Sequence, residues 1–178
     1  MSEKISIHES LQLCPISEVS CETLLRLIED NREHLRQHLG WIDKTQTIDQ
    51  MASFITLQTR AMEAQKSFTY GILYKEEIAG IITLRDLPSG NPSIGYWLAK
   101  SAQSQGLVTS SCKAIIDIAS QIPSISEITL YAGTTNQRSI AVAERLGFSF
   151  IGIKKDHETV RGKSIDVQHF SMKLVKTT

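Results

Sequence analysis

"SIGYWLAKSAQSQGLVTSSCKAI", Ser93–Ile115, passes from an apolar run through small polar residues into an apolar pattern of a different period. Its first part, "SIGYWLA", reads as a strand. Beyond it Val108, Cys112, Ile115, Ile116 and Ala119 recur at three and four residues, the spacing of one helix face. At the junction Gly106 stands among Gln103, Ser104, Gln105 and Thr109. A helix N-terminus exposes N–H groups without intrahelical partners at the positive end of the helix dipole. A glycine leaves that backbone bare enough for an anion, a phosphate above all, to approach. An ordinary tight turn explains the same residues. Neither a Walker-type glycine loop nor a G-x-G-x-x-G fingerprint occurs, which removes the nucleoside-triphosphate and dinucleotide versions of such a site.

Working outward, "SEITLYAG" returns to a strand with Ile128, Leu130 and Ala132 on one side, and "NQRSIAVAERLG" follows as a helix capped by Asn136 and closed by Gly147. A strand, helix, strand unit of this length implies a parallel strand pair. Upstream, "SFTYGILY" and "IAGIITLRDL" are separated by "KEE", a hairpin signal, and "PSGNP" turns the chain into "SIGYWLA". Downstream, "RGK" joins two final strands, "FSFIGIKKDHETV" and "SIDVQHFSMKLV". At the start "ISIHESLQLCPI" reads as one strand ended by Pro15. A helix with Ser17 as N-cap and Leu24, Leu25, Leu27 and Ile28 as its apolar stripe comes next, then a second short helix, "NREHLRQHLGW". A longer helix runs from about Thr47 to Ala64. The expected fold is α/β (α+β): one domain over residues 1–178, with a mixed, mostly antiparallel sheet of about seven strands, one parallel pair, and helices on its faces.

Composition narrows the function classes. Hydrophobic residues make up 41% and charged residues 21%, so the chain can build a core and is not a disordered polyelectrolyte. Nineteen Lys plus Arg balance nineteen Asp plus Glu, which removes any global electrostatic case for nucleic-acid binding. Cys14, Cys21 and Cys112 have neither zinc-site spacing nor the even number of a disulfide framework. The N-terminus lacks an apolar signal core and no apolar run approaches the roughly 18 residues of a membrane span. A cytoplasmic protein with no membrane or direct nucleic-acid partner is expected. His34 and His38 lie one helical turn apart, a spacing that permits a metal, yet no carboxylate motif supports one, and surface positions are expected.

Taken together, "IGYWLAKSAQSQGLVTSSCKAI", "NQRSIAVAERLGF" and "NREHLRQHLGW" resemble the GNAT superfamily of N-acetyltransferases, in particular the branch that acetylates the N-terminal amine of ribosomal proteins. Nearly the whole chain can be laid onto that branch. The resemblance implies acetyl-CoA as co-substrate, no metal, and a protein N-terminus as acceptor. A small-molecule amine (polyamine, amino sugar or drug) and a non-catalytic acyl-CoA-binding module are the alternatives. A homodimer is compatible with it.

The resemblance also implies roles. Gln103-Ser104-Gln105-Gly106-Leu107-Val108, with Thr109, matches the loop whose backbone amides hold the pyrophosphate. Two positions depart from the pattern: Ser104 stands where the branch usually has glycine, and Val108 where a small residue is typical. Backbone N–H groups near Leu98 and Ala99 would face the thioester oxygen, as acyl transfer requires; plain strand backbone is the alternative. Asn136 would contact the cofactor arm and Ser139 would protonate or hydrogen-bond the leaving thiolate; capping alone also explains the pair. No tyrosine lies between Asn136 and Gly147 to compete with Ser139. Glu158 matches the glutamate that deprotonates the amine, although a charged residue at a hairpin end is ordinarily solvated. Asn31, Arg32 and Trp41 would line the acceptor groove, with Trp41 equally readable as a core anchor.

Overall fold

The structure is a computed structural model that describes residues 3–175. Its eight strands form one sheet in the order β1-β2-β3-β4-β5-β6-β8-β7. The strands are β1 (Ile5–His8), β2 (Leu11–Pro15), β3 (Phe68–Tyr74), β4 (Glu77–Arg85), β5 (Ser93–Leu98), β6 (Glu127–Gly133), β7 (Ser149–Val160) and β8 (Lys163–Lys173). The helices are α1 (Cys21–Leu35), α2 (Ile48–Glu63), α3 (Leu107–Ser120) and α4 (Gln137–Leu146). Only β5 and β6 are parallel; every other neighbouring pair is antiparallel.

The expected mixed, mostly antiparallel sheet with one parallel pair is present, and its eighth strand comes from the segment read as one first strand. "ISIHESLQLCPI" folds back on itself at Glu9 and Ser10, pairing His8 with Leu11. The two arms alternate in the same phase and the turn contains no Gly, Pro or Asn, so only Ser10 marks it, and weakly. The helix that follows is one element rather than two. Its N-cap is Ser20, whose hydroxyl accepts from the Thr23 N–H at 3.3 Å, while Ser17 sits in a preceding 3-10 turn. With no Gly or Pro between Cys21 and Leu35, nothing interrupts the ladder.

Alternation along the strands divides the core into two layers. Ile82, Leu84, Ile94, Leu98, Ile128 and Leu130 pack against Leu107, Cys112 and Ile115 of α3 and Ile140 and Ala143 of α4. On the other face Cys14, Ile81 and Trp97 pack against Leu24, Ile28 and Leu35 of α1 and Met51 and Ile55 of α2. Complete burial of side chains of this size stabilises by about 1.5–3 kcal/mol each, which fixes the helices on their faces. Among the described residues no helix is long and apolar enough to cross a membrane.

Candidate active site

The sheet has a built-in opening. The parallel ladder joins only Ser93 to Thr129 and Ile94 to Leu130, although β5 continues to Leu98 and β6 to Gly133. Past those two pairs the strands part. The Ala99 N–H donates to the Ala79 carbonyl at 2.8 Å, on the β4 side. Because backbone N–H groups alternate along a strand, the Leu98 amide points the other way, into the gap. The expectation that both Leu98 and Ala99 present amides there is therefore corrected: the Ala99 donor is already taken.

Below the gap α3 starts at Gly106, which adopts φ 73° as the N-cap residue and offers no side-chain cap. The consecutive N–H groups from Ser104 to Thr109 have no hydrogen-bond partner among the described residues. A Cβ at Gly106 would meet nothing within 4 Å, so the space over these donors is open. This is a cradle whose chemistry fits an anion. Ser104 adopts φ 63°, a left-handed conformation that costs an L-residue about 1–2 kcal/mol. The strain explains the departure from glycine as a local energetic cost rather than a changed loop. Ser104→Gly is expected to raise unfolding stability by about 0.5–1 kcal/mol in a denaturant titration, the relief of strain exceeding the added chain entropy. A lower stability would show that the loop does not need that conformation.

Two side chains expected in the cradle turn elsewhere. Gln103 lies with its Nε2 at 2.7 Å from the His34 Nε2, its Oε1 buried without a partner, and its backbone N–H bonded to the Lys100 carbonyl at 3.3 Å. The buried Thr109 hydroxyl accepts from Arg145 Nη1 of α4 at 3.1 Å, so Thr109 contributes its backbone amide and brings a guanidinium near the cradle. Gln105 and Ser104 are exposed.

α1 supplies the opposite wall. Asn31 donates to the Leu27 carbonyl at 2.9 Å and accepts from the Lys100 N–H at 2.9 Å, tying the helix to the segment between β5 and the cradle. Arg32 bonds Glu29 and donates to the Ile42 and Thr45 carbonyls at 2.5 and 2.7 Å. Both were expected to line the acceptor groove; their polar atoms hold the wall. His34 and His38 are half-buried, not on the surface. Burial holds the His34 ring below the usual imidazole range, and the positive groups of His38, Arg138 and Lys100 add to this, while a hydrogen bond with the Leu98 backbone opposes it. A neutral ring that accepts from the Gln103 amide keeps its proton on the other nitrogen. His34 thus links α1, the end of β5 and the cradle.

At the start of α4 the Asn136 side chain accepts from the Ser139 N–H at 3.3 Å, and the Ser139 hydroxyl lies 2.8 Å from the Tyr96 hydroxyl of β5. Desolvation pushes the Tyr96 phenol well above its ordinary range.

The far hairpin closes the groove. Glu158 of β7 pairs with Ile165 just after an irregularity in the strand, and shares a face with the buried Val160 two residues on. No hydrogen-bond partner holds its carboxylate among the described residues. A Cβ at Gly40, in the loop after α1, would stand 1.8 Å from the Thr159 carbonyl oxygen, so only glycine allows loop and strand to meet. Next to it Trp41 is 40% exposed, with its ring 6.4 Å from that of the buried Trp97. Trp41 therefore offers an accessible ring on the wall.

An open sheet seam above an anion cradle invites comparison with known proteins. The family model described as "Acetyltransferase (GNAT) domain" matches residues 10–149. The chain belongs to the GNAT acetyltransferase family. Among GNAT relatives, the ribosomal-protein-serine acetyltransferase of Escherichia coli (strain K12) is 29% identical over 175 residues, covering 96% of this chain and 97% of the relative. YdaF of Bacillus subtilis (strain 168) is 28% identical over 172 residues, covering 95% and 93%. Among solved structures, a microcin C7 self-immunity acetyltransferase in complex with acetyl-CoA and AMP superposes with a TM-score of 0.88 at 25% identity, covering 94% of each chain. RimL, a ribosomal-protein α-N-acetyltransferase solved with coenzyme A, shares the fold at a TM-score of 0.89 and 24% identity, covering 97% and 98%. Family membership makes this chain an acyltransferase.

Within this GNAT chain the places of three residues beside the gap escaped the sequence reading. His34 lies three residues beyond Asn31 on the same helix face, and Tyr96 two residues before Leu98 on the same strand face; either spacing would have pointed to the gap. Gly40 gave no local signal beyond a helix stop, because its contact is with a residue more than a hundred positions away.

Proposed function

We propose that the chain transfers the acetyl group of acetyl-CoA to the N-terminal amine of a protein, with a ribosomal protein as acceptor, by direct attack in a ternary complex. The observation that carries this reading is the gap between β5 and β6, with the row of unbonded amides from Ser104 to Thr109 at one end and Trp41 and Glu158 at the other. The names of the ribosomal-protein relatives support the acceptor class.

Each step falls to a group of the chain. The amides of Ser104, Gln105, Gly106, Leu107, Val108 and Thr109 hold the pyrophosphate, and Asn136 holds the arm. The Leu98 amide hydrogen-bonds the thioester oxygen and stabilises the charge that develops when the amine nitrogen attacks the carbonyl carbon. Glu158 receives the proton that the attacking nitrogen must lose. As the carbon–sulfur bond breaks, Ser139 donates a hydrogen bond to the departing sulfur. An α-amine of pKa about 7.7–8.0 is roughly a tenth free base at neutral pH, so a modest base suffices.

Incubation with acetyl-CoA and a panel of N-terminal peptides and metabolite amines, with thiol release as readout, tests the reading. The highest kcat/KM is expected on peptides; a far higher value on a polyamine, amino sugar or drug assigns the enzyme to small amines instead. Tight acetyl-CoA binding with no turnover on any amine would make it a binding module. The outer edge of β7, where Phe150, Ile151 and Ile153 are each more than half exposed, supports a homodimer, which light scattering reads directly.

His34 makes cofactor binding pH-dependent on the same reading. Its folded pKa is depressed, so the neutral ring that supports Gln103 is complete above the ordinary histidine value of about 6.5 and is lost as pH falls through the lower folded value. Calorimetric Kd for coenzyme A is expected to rise more steeply below about pH 6 in the wild type than in His34→Gln. Equal slopes would remove His34 from the site.

A further inference from the structure

Tyr96 is a half-buried phenol that reaches across the seam, from β5 to the first turn of α4, where its hydroxyl meets Ser139 Oγ at 2.8 Å. It lies on the α3 and α4 face of the strand, two residues before Leu98, so the residue that presents an amide to the gap and the residue that touches Ser139 share one rigid strand face. We infer that Tyr96 is a positioning residue for acetyl transfer: it donates to Ser139 Oγ and thereby aims the serine proton at the leaving sulfur. The inference rests on the reading of Ser139 given above.

The direction of the bond follows from the chemistry of the pair. A phenol is a better donor than an aliphatic hydroxyl, and burial keeps the Tyr96 proton in place at every working pH. With one serine lone pair occupied by that donor and the Ser139 N–H fixed on Asn136, the hydroxyl loses rotational freedom and its own proton is left for an acceptor in the gap. Donation into Oγ also polarises the serine O–H, strengthening the hydrogen bond it gives. No proton leaves Tyr96, because desolvation disfavours its phenolate; the bond orients and does not relay.

The test reads the sulfur itself. Coenzyme A bound to the wild-type enzyme, its thiolate followed by ultraviolet difference absorbance across pH, is expected to ionise at lower pH than unbound coenzyme A. Tyr96→Phe is expected to abolish most of that shift, to lower kcat about five- to tenfold, and to leave KM for acetyl-CoA within about twofold. Tyr96→Phe combined with Ser139→Ala should be no slower than Ser139→Ala alone. Incorporation of 3,5-difluorotyrosine at position 96 keeps the hydroxyl and the packing while making the phenol a stronger donor, and should move the thiol ionisation further down. A wild-type thiol titration and kcat in Tyr96→Phe, with Ser139→Ala impaired, overturns the inference and leaves the Ser139 reading standing. Ser139→Ala with unchanged titration and kcat overturns both.

Discussion

Glu158→Gln is expected to lower kcat for acetyl transfer by about a hundredfold while KM for acetyl-CoA changes by less than about twofold. General acid–base groups contribute 10²–10⁴-fold, and the lower end applies because the acceptor is a weak acid near neutrality rather than a lysine-like amine. What the carboxylate removes is the extra proton that the nitrogen carries once it has bonded to carbon. Glu158 stands where that is feasible: on the hairpin that meets Gly40, on the strand face of buried Val160, with no partner among the described residues competing for its oxygens. Glutamine keeps the shape and removes the basicity. The variant should recover part of its rate as pH rises and hydroxide takes over removal of that proton, narrowing the difference from the wild type in the alkaline arm. A loss of less than about fivefold, with an unchanged pH profile, would transfer the role to water.

Gly106→Val is expected to weaken acetyl-CoA binding by ten- to a hundredfold with little change in kcat at saturation. Two effects act together. The backbone holds φ 73°, where a β-branched residue is a steric outlier, so the loop must shift or carry about 1–2 kcal/mol of strain. The added side chain also enters the open space above the unbonded amides, which is where a phosphate would sit. Losing one hydrogen bond to a charged group costs about 1.5–3 kcal/mol, and each 1.4 kcal/mol is tenfold in affinity. Gly106→Ala should fall between the two. Calorimetry separates the outcomes: an unchanged Kd alongside a lowered Tm would make the stretch a turn with no ligand.

How far the sequence carried can be judged from particular residues. The face of α3 was legible because Cys112, Ile115 and Ala119 recur at helical spacing and are all buried. The parallel pair followed from the length of chain between β5 and β6. The cradle was legible in outline from one glycine, but the turn of the Gln103 side chain to His34 was not, since a side chain's direction depends on a partner 69 residues upstream. Asn31 and Arg32 were read as lining the acceptor groove; what each polar atom does there is visible only once its hydrogen bonds are traced. The split of the first strand was hard to read because Ser10, with no Gly, Pro or Asn beside it, is only a weak turn signal. Tertiary approach decides these cases, and a linear pattern does not encode it.

The meeting of Gly40 with Thr159 has a consequence for the order of events in a catalytic cycle. At one end of the seam two residue pairs hold β5 to β6; at the other, this contact and the 3.8 Å ion pair of Arg161 with Glu33 clasp the hairpin to α1. The opening is framed on both sides by the chain's own contacts, which set its width. On the proposed function, a gap between two strands opens toward both faces of the sheet, so donor and acceptor need not share one entrance and neither product has to block the exit of the other.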